Sequence, residues 1–151
     1  MIGVDTNVLV YAADEFAAEH ERCQQLLENP VAPGARDAAP GESLCMTWSV
    51  LYEFLRVVTH PRVVRRPWST REAWNFVRLM VDDPEITILG PGPGHAAAAA
   101  RMLAAPGIHG NLVHDAHIAA VLAEHGVRRI YTRNQDLHRF PGLQVVDPLA
   151  G

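Results

Sequence analysis

The chain has no lysine: all 13 of its basic residues are arginine, against 17 acidic residues, for a net charge of −4. That balance argues against a surface given over to general polyanion binding, which shows as a basic excess. It leaves room for an acidic pocket neutralised by a cation. Abundant Ala, Gly and Pro beside the arginines has the look of a GC-rich coding sequence. Cysteine is scarce as well. Cys23 and Cys45 are too few for a disulfide framework and lack metal-ligand spacing, so both are expected as small buried residues, one in a helix and one in a strand. No apolar run approaches the ~20 residues of a membrane span, and no charged leader precedes the first strand. The expectation is a cytoplasmic protein with no membrane contact. Internal repeats and low-complexity tracts are absent too.

What is present is an ordinary globular balance, 48% hydrophobic and 20% charged over 151 residues. This suffices for one domain, 1–151, with a real core. Short apolar runs at 1–5, 44–46, 86–89, 129–131 and 143–146 read as buried strands, and helical patterns separate them. The pattern predicts helices over 7–12, 15–28, about 48–59, 70–81, 95–105 and 111–125. Phe16, Cys23, Leu26 and Leu27 would share one face of the second. The 29–42 stretch, rich in Pro, Gly and Ala, reads as a loop. Ser69 and Glu72 have capping-box spacing. The Ala-rich helix at 95–105 is expected inside, where small side chains allow close approach. In the helix over 111–125, Val113, Ile118, Val121 and Leu122 would form the apolar stripe, and Gly126 would end it. Strands alternating with helices imply parallel pairing in an α/β layered domain.

In such a sheet, ligands and catalysis collect at the carboxyl edge of the strands. Asp5 ends the first strand, Glu53 lies on the helix after the second, Asp115 opens the helix before the fourth, and Thr132-Arg133-Asn134-Gln135-Asp136 follows the fourth. Each has a plain alternative: Asp5 as a helix cap, Glu53 as a solvated helix residue, Asp115 as a partner of the helix dipole. Together they converge on one edge. Clustered carboxylates repel unless a cation neutralises them, and hard oxygen ligands suit Mg²⁺ or Mn²⁺. Such a metal activates water and stabilises the charge of a displaced phosphate, which is the chemistry of phosphodiester hydrolysis.

Four motifs in order, Val4-Asp5-Thr6-Asn7-Val8-Leu9, Tyr52-Glu53-Phe54-Leu55-Arg56, His114-Asp115-Ala116-His117-Ile118-Ala119-Ala120 and Tyr131-Thr132-Arg133-Asn134, resemble the PIN-domain nucleases, and more closely the VapC-type toxins of bacterial toxin–antitoxin pairs. Phe140-Pro141-Gly142-Leu143 is similar to that family's C-terminal end. The resemblance spans nearly the whole chain. It implies a PIN-like three-layer α/β/α domain with a short, mainly parallel central sheet, and an Mg²⁺- or Mn²⁺-dependent endoribonuclease acting as the toxin of a pair. It places Asp5, Glu53 and Asp115 at the metal-binding carboxylate positions, where they would share one divalent ion, with Thr6 and Thr132 orienting carboxylates and waters. At the fourth position many members carry Asp where this chain has Asn134. Asp136 is the next carboxylate and the candidate fourth catalytic acid, while Asn134 offers a carbonyl oxygen without charge. Implied partners are an RNA substrate, a silencing antitoxin and a second copy in a homodimer. The antitoxin would lie in an apolar groove formed from Phe16, Leu26, Leu51, Phe54, Trp74, Phe76 and Met80, with a basic side chain directed toward the acidic site; the plain alternative is that these residues are all core or bury each other in a homodimer. RNA would be held by local arginines such as Arg56, Arg62, Arg65, Arg66 and Arg133.

Three other readings were weighed. His114 and His117, with His109 nearby, have a spacing that could hold a transition metal, but no Cys joins them and the Zn-protease pattern is absent. A dinucleotide enzyme would need a G-x-G-x-x-G after the first strand, and none is there. The remaining alternative keeps the fold but not the activity: a catalytically weakened PIN-like module that binds RNA or protein, with Asn134 as the weakness.

Overall fold

The computed structural model describes residues 1–28 and 42–150, so all but Glu42 of the loop expected at 29–42 lies outside the described residues. Within them, the chain order is β1 (Ile2–Val4), α1 (Thr6–Ala13), α2 (His20–Glu28), β2 (Leu44–Thr47), α3 (Trp48–Thr59), α4 (Thr70–Asp82), β3 (Ile86–Leu89), α5 (His95–Leu103), α6 (Leu112–Glu124), β4 (Arg129–Tyr131), a 3₁₀ turn (Gln135–Arg139) and β5 (Gln144–Val146). The sheet is five-stranded and parallel throughout, in the order β3-β2-β1-β4-β5. The chain steps outward from β1 through β2 to β3, then crosses back to β4 on the other flank of β1. The order therefore reverses between β1 and β4, and right-handed crossovers place α1 to α4 on one face and α5 with α6 on the other. The expected α/β/α layering is the observed one.

Burial explains the strands. β1 and β2 are buried along their whole length, and apolar but for Thr47 at the end of β2, as suits strands covered on both faces. Gly3 sits where helix and sheet meet most closely: a Cβ there would lie 3.3 Å from both Leu122 methyls and 3.4 Å from Ile130. The absent side chain lets α6 lie tight over the central strand.

The helices depart from expectation in three places. The one predicted over 15–28 begins only at His20. Asp14 turns the chain first: its carboxylate accepts the Phe16 N–H at 3.0 Å and its carbonyl accepts from Ala17. This local side-chain-to-backbone bonding competes with helix, and it leaves Phe16 61% exposed rather than on the buried face. The Ala-rich α5 is not the inner helix. It buries Ala98 and Met102 while most of its alanines face out. The inner position belongs to α6, which buries Ala116, Ile118, Ala119, Ala120, Val121 and Leu122. Leu, Ile and Val remove far more apolar area from water than Ala does, so α6 takes the sheet and α5 packs on it. Val113 is the third departure. At 100° per residue it lies about 140° around the axis from Ile118, and it is 43% exposed. The signals at the helix ends behaved as read. Ser69 and Glu72 form a reciprocal capping box on α4, and Gly126 takes φ +72° just past α6.

Candidate metal centre and active site

Asp5 follows β1 directly, and Thr132 follows β4 directly. Val4 pairs with Tyr131 and Tyr131 with Val146, so the ends of the three strands are level. The ladder continues one step, with Asp5 N–H donating to Tyr131 O and Thr132 N–H to Val146 O, both at 3.1 Å. Parallel register thus sets Asp5 beside Thr132 at the crevice where strand order reverses, the place where open α/β sheets bind ligands.

Asp5 is buried, 5% exposed, and both its oxygens are engaged. Oδ1 accepts the Thr6 N–H at 2.8 Å, so the residue does cap α1. Oδ2 accepts from Thr132 Oγ1 at 2.6 Å and from Asn7 Nδ2 at 2.9 Å. The cap and site readings of Asp5 are therefore compatible, one oxygen serving each. Thr132, fully buried, is the hub of this network. Besides donating to Asp5, its hydroxyl accepts from Asn7 Nδ2 and from the Asn134 N–H, each at 2.9 Å.

From the opposite faces of the sheet, α3 and α6 bring the other two carboxylates. Glu53 Oε2 accepts from Thr6 Oγ1 at 3.1 Å, and its Oε1 lies 3.7 Å from Arg56 Nη2. Thr6 thus touches the acid of another helix, while the cap of its own helix is Asp5. Asp115, in the first turn of α6, receives Asn134 Nδ2 at 3.3 Å. Asn134 is not turned as a carbonyl ligand. Its oxygen accepts the Asp136 N–H at 3.0 Å and caps the 3₁₀ turn. Asp136 is held outward by Arg139 at 3.2 Å.

The electrostatics show the convergence. Burial raises the pKa of Asp5 above the ordinary carboxylate value, against the lowering effect of Thr132, Thr6 and Asn7, and Glu53 adds repulsion. Burial likewise raises Asp115, with Asn134 lowering it and Asp5, Asp136 and Glu53 raising it further. Mutual repulsion is thus present, but desolvation is the larger cause for both groups, because each sits at least partly out of water. Among the described residues no three His, Cys, Asp or Glu side chains form a ready-made metal cage. The carboxylates converge electrostatically, short of the shared ligand set expected from sequence. The donor set is nonetheless anionic oxygen under repulsion, which fits a hard divalent cation.

The histidines do something else. His117 lies against His95, ring centroids 5.3 Å apart, with its pKa lowered by burial and by His95 and His114. His95 and His117 belong to the α5–α6 contact, and His109 bonds instead to Gly107 O at 2.9 Å. Asn7 is the residue whose role sequence reasoning missed. It bridges Asp5 and Thr132, and its Oδ1 accepts the Arg133 N–H at 3.2 Å. Its position two residues after Asp5, inside the first motif, was the available signal.

The apolar face expected from sequence divides between core and groove, and Trp74, 39% exposed, and Met80 belong to neither. Leu26, Leu51 and Phe54 are core. Phe76 stacks on Phe54 at 4.9 Å and meets Trp68 at 5.7 Å. With Phe16, Val58, Val64 and Arg66, Trp68 and Phe76 line a groove of ≈ 630 Å³, and Arg66 lies over the Phe16 ring at 5.2 Å.

Comparison with known proteins agrees with this geometry. The PIN domain family matches residues 2–143. Ribonuclease VapC43 of Mycobacterium tuberculosis is 35% identical over 151 residues, covering 100% of this chain and 97% of the relative. Ribonuclease VapC48 of the same species is 29% identical over 147 residues, covering 97% of each. Among solved structures, Mycobacterium tuberculosis VapC20, a sarcin–ricin loop cleaving toxin, superposes with TM-score 0.63 at 16% identity, covering 91% of this chain and 93% of the other. FitAB bound to a DNA fragment superposes with TM-score 0.64 at 17% identity, covering 98% and 95%.

Proposed function

Because this chain belongs to the PIN-domain family, and within it to the VapC ribonucleases, we propose that it is an Mg²⁺- or Mn²⁺-dependent endoribonuclease and the toxin of a toxin–antitoxin pair. The observation that carries this reading is the Asp5 network: a buried carboxylate at the strand-order reversal, held by Thr6, Asn7 and Thr132 and coupled to Asp115 and Glu53. Asp5, Asp115 and Glu53 would hold the cation, which when bound polarises the scissile phosphate and supplies nucleophilic water. Thr132 and Asn7 fix the Asp5 rotamer. Thr6 fixes Glu53. Asn134 aims Asp115 through its Nδ2. Burial raises the pKa of Asp5 and Asp115 in the metal-free protein, so a cation held there would displace into solvent any proton they carry. Asp136 stands at the rim as the outermost acid, available to a proton on the attacking or leaving oxygen.

The partners follow the same reading. The groove of Phe16, Trp68, Phe76 and Arg66 suits an apolar antitoxin segment, several structural neighbours being solved as toxin–antitoxin complexes. A homodimer and a cytoplasmic site of action complete it. No helix among the described residues is long and apolar enough to cross a membrane.

The decisive experiment is cleavage of RNA by the purified chain with Mg²⁺ or Mn²⁺, with chelator, and as Asp5→Ala. Metal-dependent cleavage lost in the variant is the expected result. Failure of the wild-type chain to cleave RNA with either ion, while still binding it, would replace the enzyme by a PIN-like binding module. Co-expression with the adjacent open reading frame tests the pairing: a stable complex, with activity released on separation, is expected.

A further inference from the structure

Three exposed side chains on α3 border the network just described, only Arg56 touching it, through Glu53. Trp48 is 39% exposed and Tyr52 64%, with ring centroids 6.3 Å apart and planes at 44°. Neither ring covers the other, so each keeps an open face. Arg56 follows, its side chain 64% exposed. At a spacing of four residues these three lie nearly one above another on a helix. The top of the stripe is at the reacting edge. Trp48 is the first residue of α3, directly after β2, and it stands against Gly90 just past the end of β3, 3.7 Å from where a Cβ would be. Glu53 neighbours Tyr52 in sequence and pairs with Arg56 at 3.7 Å. The stripe therefore runs alongside Glu53, one face around from it, and its far end, Arg56, still meets that carboxylate.

Its charge is opposite to that of the molecule. From Trp48 to Trp68 the chain carries Arg56, Arg62, Arg65 and Arg66 against the single acid Glu53, four positive charges to one negative, in a protein of net −4. Arg62 and Arg65 are exposed in the turn after α3. Open aromatic faces that lead into exposed cations are what an unpaired nucleic-acid strand requires, since bases stack on the rings and phosphates meet the cations. A duplex cannot present its base faces to such a ledge.

We infer that Trp48, Tyr52 and Arg56 form a ledge that receives unpaired nucleotides of the RNA next to the scissile phosphate, the two rings stacking bases and Arg56 holding a backbone phosphate. The inference rests on the ribonuclease reading and adds to it residues that position the strand. Because the rings hold the strand without touching the reacting phosphate, losing one raises KM more than it lowers kcat.

The test uses the full chain carrying Asp5→Asn, so that RNA stays intact, and a fluorescein-labelled mixed-sequence single-stranded RNA followed by anisotropy. Tyr52 is exposed, so its replacement leaves the fold in place. Tyr52→Ala is expected to weaken binding about fivefold or more, from the loss of one stacking partner, whereas Tyr52→Phe keeps the ring and the affinity. Arg56→Gln is expected to reduce the slope of log affinity against log salt by about one unit. In the active chain Tyr52→Ala should raise KM, and a duplex of the same sequence should show no change between the two Tyr52 variants. Parent and Tyr52→Ala binding single-stranded RNA equally overturns the ledge while the ribonuclease reading stands. So does a loss of binding that tracks dissociation of a dimer in sedimentation, since the face would then be an interface between copies. A parent that neither binds RNA nor, with Asp5 restored, cleaves it overturns the ribonuclease reading and the ledge together.

Discussion

Replacing Thr132 by Val is the sharpest probe of the site, because it removes one oxygen and keeps the shape. A threonine hydroxyl has one donor and two acceptor positions, and here all three are used, toward Asp5, Asn7 and the Asn134 backbone. Valine takes a donor from the Asp5 carboxylate, worth about 1.5–3 kcal/mol for a bond to a charged group, and leaves the Asn134 N–H without its acceptor, about 1–3 kcal/mol. Asn7 Nδ2 keeps Asp5 Oδ2 at 2.9 Å. Such losses within one network do not add fully, and the extra methyl recovers part, so the expected cost is about 2–4 kcal/mol. For a domain of this size that lowers Tm by about 5–15 °C.

The same substitution changes the acid. The Thr132 hydrogen bond is the largest influence holding the Asp5 pKa down. Without it Asp5 protonates more readily, Mn²⁺ affinity at neutral pH falls, and the onset of metal binding moves to higher pH. Because the lost bond matters most to the charged carboxylate, the Tm gap between wild type and variant should narrow as pH falls. Thr132→Ser, which keeps the hydroxyl, should regain most of the stability and the metal affinity. Thermal melts in chelator across pH, paired with calorimetric Mn²⁺ titration, read both effects. A Thr132→Val protein that melts with wild type, or a gap that does not change with pH, would refute the reasoning.

Asp5 and Asp115 both have folded pKa values above the ordinary carboxylate value, so their contribution to stability is full below the unfolded value and lost as pH rises through the folded one. Urea unfolding in chelator should therefore show Asp5→Asn gaining on wild type as pH rises, with Mn²⁺ reversing the order at neutral pH; a difference constant with pH counts against it. Asn134→Asp keeps a good cap for the 3₁₀ turn but swaps the donor facing Asp115 for a second charge. The metal-free protein should lose stability at neutral pH and Mn²⁺ affinity should hold or rise, and a clear fall in affinity in calorimetry would give the Asn134 amide a role of its own.

The strands were readable because fully buried parallel strands are short apolar runs, as the runs at 1–5 and 44–46 are, with helical patterns on either side. Caps were readable for a similar reason: Ser69 with Glu72, and Gly126 after α6, are local chemistry. The misses came where local pattern competes with something else. At 14–19 it was a side chain, Asp14 bonding to its own neighbours and delaying the helix. At α5 and α6 it was the rest of the molecule. Both helices are rich in alanine, and which one lies inside depends on which carries Ile, Val and Leu to a sheet the sequence does not display.

The site shows the same division more strongly. That carboxylates at 5, 53 and 115 would be drawn to one edge follows from strand and helix order, and the raised pKa values of Asp5 and Asp115 come first from burial and only then from that convergence. The direction in which each supporting group points does not follow. Asn7 and Thr132 are 125 positions apart, yet their 2.9 Å hydrogen bond depends on β1 and β4 being neighbours in level register. Asn134, read from sequence as an uncharged substitute ligand, instead spends its oxygen on the Asp136 N–H and turns its Nδ2 to Asp115. An aspartate at 134 would add charge to the cluster, whereas the amide removes some of the repulsion by donating to it. The chain therefore compensates inside the network for the acid it lacks: Asp115 is held by a neutral donor, Asp136 remains at the rim against Arg139, and the charge that any cation must balance is concentrated on Asp5, Glu53 and Asp115.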